Sequence, residues 1–208
     1  MTQDGRVVRG DQTRQRILDR AMAIASQDGL EGLSIGRLAT DLGVSKSGLF
    51  AHFGSKEELQ IAVVRAAEEV FTREVVKPAL RTAPGLPRLV ELCRGWLDYS
   101  ERRVFPGGCF FYAAGAEFDS RPGRIRDLLA QARRDWLSLY EQTIRDAQQL
   151  GQLDADVEPA QLAFEFDALA TAANSAALLL DDALAYRRSR AGIRARLRAL
   201  ATRPEEVP

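Results

Sequence analysis

The sequence predicts an all-α protein of about nine helices, in which a three-helix N-terminal domain precedes a larger helical domain. Apolar residues recur along the chain at the three-to-four spacing of one helix face. Glycine and proline separate these segments, as expected where helices end, and no segment is a convincing strand. A chain of 208 residues is also long enough to bury a sizeable core.

The charge of the chain is balanced, because 29 basic and 29 acidic side chains give a net charge of zero. Residues 1–56 carry eight basic and six acidic side chains, so electrostatics alone does not suggest a nucleic-acid partner. Cys93 and Cys109 cannot form a disulfide framework, and we interpret each as a small buried side chain rather than a redox sensor. The polar N-terminus is unlike a signal peptide, which predicts a cytoplasmic protein with no membrane partner.

The first residues of the chain, 1–11, are polar and without periodicity, so we expect a disordered arm. This arm is either an inert tail or a segment whose arginines, Arg6 and Arg9, contact DNA phosphates or the minor groove. Residues 12–28 then form the first predicted helix. Thr13 and Arg14 lie at its start, where a helix N-terminus suits a phosphate.

Two short helices joined by a tight turn follow from Ser34. The Ser34 hydroxyl is expected to cap the first of them. Gly43 ends it, because a residue without Cβ adopts the left-handed conformation at little cost. Ser45 caps the second helix, in which Leu49 and Phe53 point inward.

The second of these short helices exposes Lys46, Ser47 and Gly48 at its front end. Small and basic residues there suit insertion into a DNA major groove, so the pattern indicates a helix-turn-helix domain over residues 12–55. The alternative is an ordinary helical corner in an all-α enzyme.

A long fourth helix is predicted to start at Lys56, after a cap by Ser55, and to continue to about residue 76. Pro78 must disturb or end it, because proline lacks a backbone donor. We expect a ligand-binding and dimerisation domain over residues 56–202 and a frayed tail over 203–208.

Aromatic residues are dense in the following helices, which predicts a mostly apolar cavity for a small molecule. The alternative is a plain core. The candidate lining residues are Cys93, Trp96, Tyr99, Phe110, Tyr112, Glu117, Phe118, Trp136, Tyr140, Phe164 and Asn174. Glu117 is the one interior carboxylate candidate, although it could instead face solvent or pair with Arg121 or Arg124.

The eighth predicted helix, residues 159–180, is apolar nearly all round, so it must be covered nearly all round. One face comprises Leu162, Phe166, Leu169 and Ala173, and another comprises Phe164, Ala168, Ser175 and Leu179. The core of one chain can cover one face, and the second face suggests a partner copy. With the ninth helix, residues 185–201, the predicted dimer interface comprises Phe166, Ala173, Ala177, Leu180, Ile193 and Leu197.

The sequence predicts neither an enzyme nor a cofactor. The only histidine is His52, inside the helix-turn-helix, and we find no metal-ligand spacing, no P-loop and no GxSxG motif. The competing hypothesis is an α-helical small-molecule-binding protein or enzyme in which the helix-turn-helix is incidental.

The N-terminal pattern resembles the tetracycline-repressor (TetR) family of bacterial transcription regulators. The matching positions are Arg16-Ile17-Leu18, Ala21, Gly29, Leu33-Ser34-Ile35, Gly43-Val44-Ser45, Leu49-Phe50, His52-Phe53, Lys56 and Leu59. The later segment GGCFF…EFDSRPG resembles the C-terminal domain of one subgroup of that family.

This resemblance implies a homodimeric repressor that binds a palindromic operator and is released by a small apolar or amphipathic inducer. The implied DNA-binding residues are Thr13, Arg14, Ser34, Arg37, Ser45, Lys46, Ser47, Gly48, Phe50, His52 and Lys56. We assign Lys46 to a guanine edge and Lys56 to a phosphate. Phe50 replaces the family's usual tyrosine, and Gly36 stands where some members place a base-reading arginine.

Overall fold

The structure is a computed structural model that describes residues 5–207. Its helices are α1 Gly5–Asp28, α2 Ile35–Leu42, α3 Lys46–Phe53, α4 Lys56–Phe71, α5 Lys77–Leu80, α6 Leu86–Glu101, α7 Phe110–Phe118, α8 Arg124–Gln149, α9 Pro159–Leu179 and α10 Ala185–Leu200. A 3₁₀ turn follows at Pro204–Glu206. Within the described range, β pairing is limited to an isolated bridge between Leu153 and Ala201, so the predicted all-α fold is confirmed.

A π-helical turn at Thr72–Val76 joins α4 to α5, so no loop separates the two helices. Pro78 lies in the first turn of α5. Because proline cannot donate a backbone hydrogen bond, the turn before it must rearrange, and a π turn is one such rearrangement. Pro78 therefore disturbs this helix without ending it. When α4, the π turn and α5 are counted as one helix, residues 5–207 contain the nine predicted helices.

The first helix begins at Gly5, well before the predicted start at residue 12. The prediction of a disordered arm is therefore wrong for residues 5–11, and residues 1–4 lie outside the described range. Extending an existing helix costs much less than starting one. The amphipathic helix over 12–28 can thus continue through a polar segment that would not form a helix alone.

The chain folds into two compact units. Unit 1 comprises the residues up to Glu69 together with Phe105–Ala130, and unit 2 comprises Val70–Val104 and Gln131–Pro208. This division differs from the predicted boundary after residue 55, because most of α4 and the whole of α7 belong to unit 1.

The loop before α7 explains why that helix belongs to unit 1. The Gly107 N–H donates to Ser26 Oγ at 3.1 Å, near the end of α1. A Cβ at Gly107 would lie only 1.8 Å from the Ser26 carbonyl oxygen, so no other residue fits without a backbone shift. This glycine lets the loop lie directly on the last turn of α1.

In unit 1, the apolar stripes of the first four helices meet in one core. Ile17, Leu38, Leu49 and Leu59 are each at most 1% exposed. Fully burying one such side chain stabilises a fold by roughly 1.5–3 kcal/mol, which is what holds the short helices α2 and α3 in place.

In unit 2, a buried polar group connects three helices. Ser100 Oγ on α6 donates to Asn174 Oδ1 on α9 at 2.7 Å and lies 2.8 Å from the Tyr186 hydroxyl on α10. Buried hydrogen bonds of this kind are costly to break, so they fix how these helices are aligned.

Candidate nucleic-acid interface and candidate effector site

The turn between α2 and α3 has the local geometry that its sequence predicts. Ser34 Oγ accepts a hydrogen bond from the Arg37 N–H at 3.0 Å, and Ser45 Oγ accepts one from the Gly48 N–H at 3.0 Å. Gly43 ends α2 in the left-handed conformation, with φ 65° and ψ 30°. Both predicted caps and the predicted stop are therefore confirmed.

Helix α3 buries one face and exposes the other. Leu49 is 0% exposed and Phe53 is 8% exposed, whereas Phe50, at the side of this buried face, is 46% exposed. Lys46 and Ser47 are exposed in the first turn. The N-terminal end of α3 is thus free to approach the edges of base pairs, as a recognition helix does.

The side chain of Lys46 lies over Gly36 on the neighbouring helix α2. A Cβ built at Gly36 would be 3.4 Å from Lys46 Cε and 3.6 Å from Lys46 Nζ. The sequence suggests only a missing contact at this glycine. The structure shows that a Cβ here would touch Lys46 at ordinary van der Waals distance, so only a residue larger than alanine would compete with the lysine for space.

Two of the predicted DNA-binding cations already have carboxylate partners within unit 1. Arg37 forms an ion pair with Asp28. Lys56 Nζ donates to the Glu31 carboxylate at 3.0 Å and to the Glu31 carbonyl oxygen at 2.9 Å. The hydrogen bond from Lys56 is the main reason that the pKa of Glu31 is below its ordinary value. Each cation would therefore contact a phosphate either while shared with its carboxylate or after leaving it.

Arg14 and His52 line one cleft of about 440 Å³ in unit 1. The Arg14 guanidinium lies 5.0 Å from the centre of the Phe53 ring, and Thr13 beside it is half-buried. Arg65 of α4 lines the same cleft and is a cation that sequence reasoning missed. No motif marks Arg65, because on the sequence it is one exposed charge among several on a long helix.

The predicted effector-site residues are divided between the two units. Those in unit 1 are Phe110, Tyr112, Glu117 and Phe118. Those in unit 2 are Cys93, Trp96, Tyr99, Trp136, Tyr140, Phe164 and Asn174. Phe164 is 65% exposed on α9, so its assignment to an interior cavity is wrong.

Glu117 has a different role from the one the sequence suggests. Its carboxylate accepts hydrogen bonds from the backbone N–H groups of Leu30 at 2.7 Å and Glu31 at 3.0 Å. Arg124, a predicted partner, pairs instead with Glu58 at 2.6 Å. The Glu117 side chain thus stabilises the turn after α1 and does not line an effector cavity.

Five aromatic residues of unit 2 form one connected cluster. Phe71 contacts Tyr99 and Trp136 edge-to-face, with ring centres 5.4 Å and 5.0 Å apart. Trp136 contacts Tyr140 at 4.6 Å, and Tyr140 reaches Phe166 at 6.3 Å. Such contacts stabilise a core and also suit an apolar ligand site, so the predicted effector role of these residues stays a prediction.

Polar and ionisable groups accompany this cluster. Burial raises the pKa of the Cys93 thiol to about 12, against a smaller opposite effect of its hydrogen bond with Tyr140. Asp167, which is 5% exposed, forms an ion pair with Arg133. Burial raises the pKa of Asp167, and the Arg133 charge opposes that rise. In the sequence Asp167 only interrupts an apolar helix, whereas the structure places its carboxylate inside unit 2.

Helix α9 has one face inside unit 2 and one face outside it, as the sequence predicts. Leu162 and Phe166 are 0% exposed, whereas Phe164 and Leu179 are 65% and 80% exposed, and Leu180 directly after the helix is 70% exposed. Despite this apolar character, no helix within residues 5–207 is both long and apolar enough to span a membrane.

The predicted dimer-interface residues lie mostly on the inner face. Four of them are at most 5% exposed in their own chain: Phe166, Ala173, Ile193 and Leu197. The prediction is wrong for these four, because a buried side chain has no surface left for a partner to cover. Ala177 is half-buried, and Leu180 is exposed, as an interface position would be.

The helices of residues 5–207, with the capped pair α2 and α3 in unit 1, have the architecture of a helix-turn-helix transcription regulator. Residues 17–63 match the family described as bacterial regulatory proteins, tetR family. Residues 85–193 match the tetracyclin repressor-like C-terminal domain. The chain belongs to the TetR family, as its N-terminal pattern suggests.

Known proteins with similar sequences or folds include other regulators. The transcriptional repressor AcnR of Corynebacterium glutamicum is 36% identical over 90 residues, which cover 43% of this chain and 43% of AcnR. A TetR regulator from Chloroflexus aurantiacus has a TM-score of 0.85 at 22% identity, with 93% of this chain and 98% of that chain covered. AibR, solved with isovaleryl coenzyme A and operator DNA, has a TM-score of 0.70 at 21% identity, with 90% and 97% covered.

Proposed function

We propose that this protein is a homodimeric transcription repressor that binds a palindromic operator through α3 and is released by a small apolar or amphipathic molecule. The observation that carries the proposal is the exposed, capped front of α3, where Lys46 and Ser47 point away from the core. Family membership supports the same function.

The exposed face of α9 supports a homodimer. Phe164 and Leu179 on α9, and Leu180 directly after it, are large apolar side chains left uncovered by their own chain. Uncovered apolar surface of this kind marks an interaction site, and most homodimers bury the same patch of both subunits about a two-fold axis. Two recognition helices related by that axis would match two operator half-sites.

The aromatic cluster of unit 2 supports an effector of apolar or amphipathic character. Trp136 and Tyr140 offer flat apolar surfaces, and the buried Asp167 and Asn174 offer polar anchors. AibR, a structural neighbour, was solved with isovaleryl coenzyme A. An effector that binds one conformation of the dimer better than the other would shift the population away from the DNA-binding form.

The proposal is tested by selecting binding sites from random duplexes and by gel shift with the DNA upstream of the protein's own gene. A palindromic preference is expected, and a variant with Lys46→Ala and Ser47→Ala should lose most of it while keeping the wild-type melting temperature. Arg145→Ala, on an exposed turn of α8 in unit 2, is a suitable control. Binding without any sequence preference would refute the proposal and favour a helical small-molecule-binding protein whose helix-turn-helix is incidental.

A further inference from the structure

The turn that follows α1 holds a carboxylate from a distant part of the chain. Gly29 has φ 80°, and the two N–H groups after it donate to Glu117 at 2.7 Å and 3.0 Å. Successive N–H groups next to a left-handed residue form a concave nest that suits an anion. The nest is filled by a side chain 87 residues further along the sequence. A Cβ at Gly29 would lie 2.7 Å from that carboxylate, so the fit is close.

The other side of the same turn is held by α4. Gln60 Nε2 donates to the Leu30 carbonyl oxygen at 2.8 Å, and Lys56 Nζ donates to both the carbonyl and the carboxylate of Glu31. A lysine ammonium has three N–H donors, so Glu31 takes two and leaves one. The position of that last N–H depends on where the turn places Glu31.

We infer that Glu117 is a positioning residue for DNA binding, which fixes the turn at residues 29–31 and thereby sets where Glu31 holds the Lys56 ammonium. Glu117 would support one phosphate contact without touching DNA. The inference rests on the proposed function, since it concerns operator binding. It also gives α7, which lies within the matched C-terminal family domain, a direct role in the DNA-binding unit.

Whether operator affinity rises or falls when Glu117 is removed distinguishes a positioning role from a simple effect of its negative charge. Removing a carboxylate lowers the repulsion between a protein and DNA phosphates, so loss of charge alone should tighten binding. Loss of a positioned lysine should weaken binding and lower the slope of log affinity against log salt by about one. Asp119→Ala is a matched control, because Asp119 also lies at the end of α7 and its side chain is exposed.

The experiment measures operator affinity from low to moderate salt for the wild type, Glu117→Ala, Lys56→Ala, the double variant and Asp119→Ala. We expect Glu117→Ala to lower the salt slope by about one, as Lys56→Ala does, and the double variant to lower it no further. Asp119→Ala should keep the wild-type slope. Hydrogen exchange at the amides of residues 30 and 31 should be faster in Glu117→Ala, which tests the turn without DNA.

Three results would overturn the inference. The first is a wild-type slope in Glu117→Ala despite faster exchange, and the second is a double variant whose losses simply add. The third is that no duplex binds the wild type, which would refute the proposed function as well. The wild-type measurement alone identifies this third case, so it is not confused with the other two. If Glu117→Ala does not fold, Glu117→Gln replaces it, because the amide keeps the shape and one acceptor, and a smaller loss of the same sign is expected.

Discussion

Replacing Phe164 by alanine should split the proposed dimer while leaving each chain folded. Phe164 is 65% exposed on α9, and an aromatic side chain can bury roughly 150–250 Å². About 130 Å² is therefore available to a partner, which at ~25 cal/mol per Å² corresponds to roughly 3 kcal/mol for each copy. A two-fold interface contains the residue twice. Since alanine keeps part of the area, we expect a loss of about 4 kcal/mol per dimer, or a Kd roughly a thousandfold weaker.

Phe166 is the matched control, because it lies two positions along the same helix and is 0% exposed. Phe166→Ala creates a cavity in unit 2 and should lower the free energy of unfolding by about 3–5 kcal/mol without removing interface area. Light scattering over a dilution series reports the dimer, and thermal unfolding reports the fold. If Phe164→Ala dimerises as tightly as the wild type, or if Phe166→Ala gives well-folded monomers, the exposed side of α9 is not the dimer interface.

Further predictions concern single side chains. Lys46→Ala should remove the base preference at one operator position, at a cost of about 1–3 kcal/mol in binding free energy, which binding-site selection measures. Lys56→Ala should leave the base preference unchanged and lower the slope of log affinity against log salt by about one, which a salt titration measures. Phe50→Tyr should tighten binding to all duplexes alike by restoring a hydroxyl donor, and a changed base preference would contradict this. Cys93, with a pKa raised to about 12, should resist alkylation at pH 8 until the protein unfolds, so rapid labelling of native protein would refute its burial.

Local features of the helix-turn-helix could be predicted because each depends on neighbouring residues. Ser34 and Ser45 each cap the helix that follows by accepting a hydrogen bond from the backbone N–H three residues further on. Gly43 ends α2 because glycine adopts the left-handed conformation at little cost. The inward positions of α3 follow from the helical period alone.

The dimer face could be predicted only in part. Helical periodicity separates Phe164 from Phe166, which lie on opposite sides of α9, but it does not tell which side the chain itself covers. That choice depends on the packing of unit 2. The contact between Glu117 and the turn at residues 30 and 31 could not be predicted from the sequence, because it joins segments far apart along the chain.

The space over Gly36 limits how the reading specificity of this protein could be transferred by engineering. A Cβ at position 36 would lie 3.4 Å from Lys46 Cε, in ordinary van der Waals contact, so the atoms beyond that Cβ would compete with the lysine for space. A graft of α3 onto a related scaffold with a larger residue on α2 would deflect the lysine from its path. Exchange of the proposed binding specificity between this protein and a relative would therefore require α2 and α3 to be transferred together.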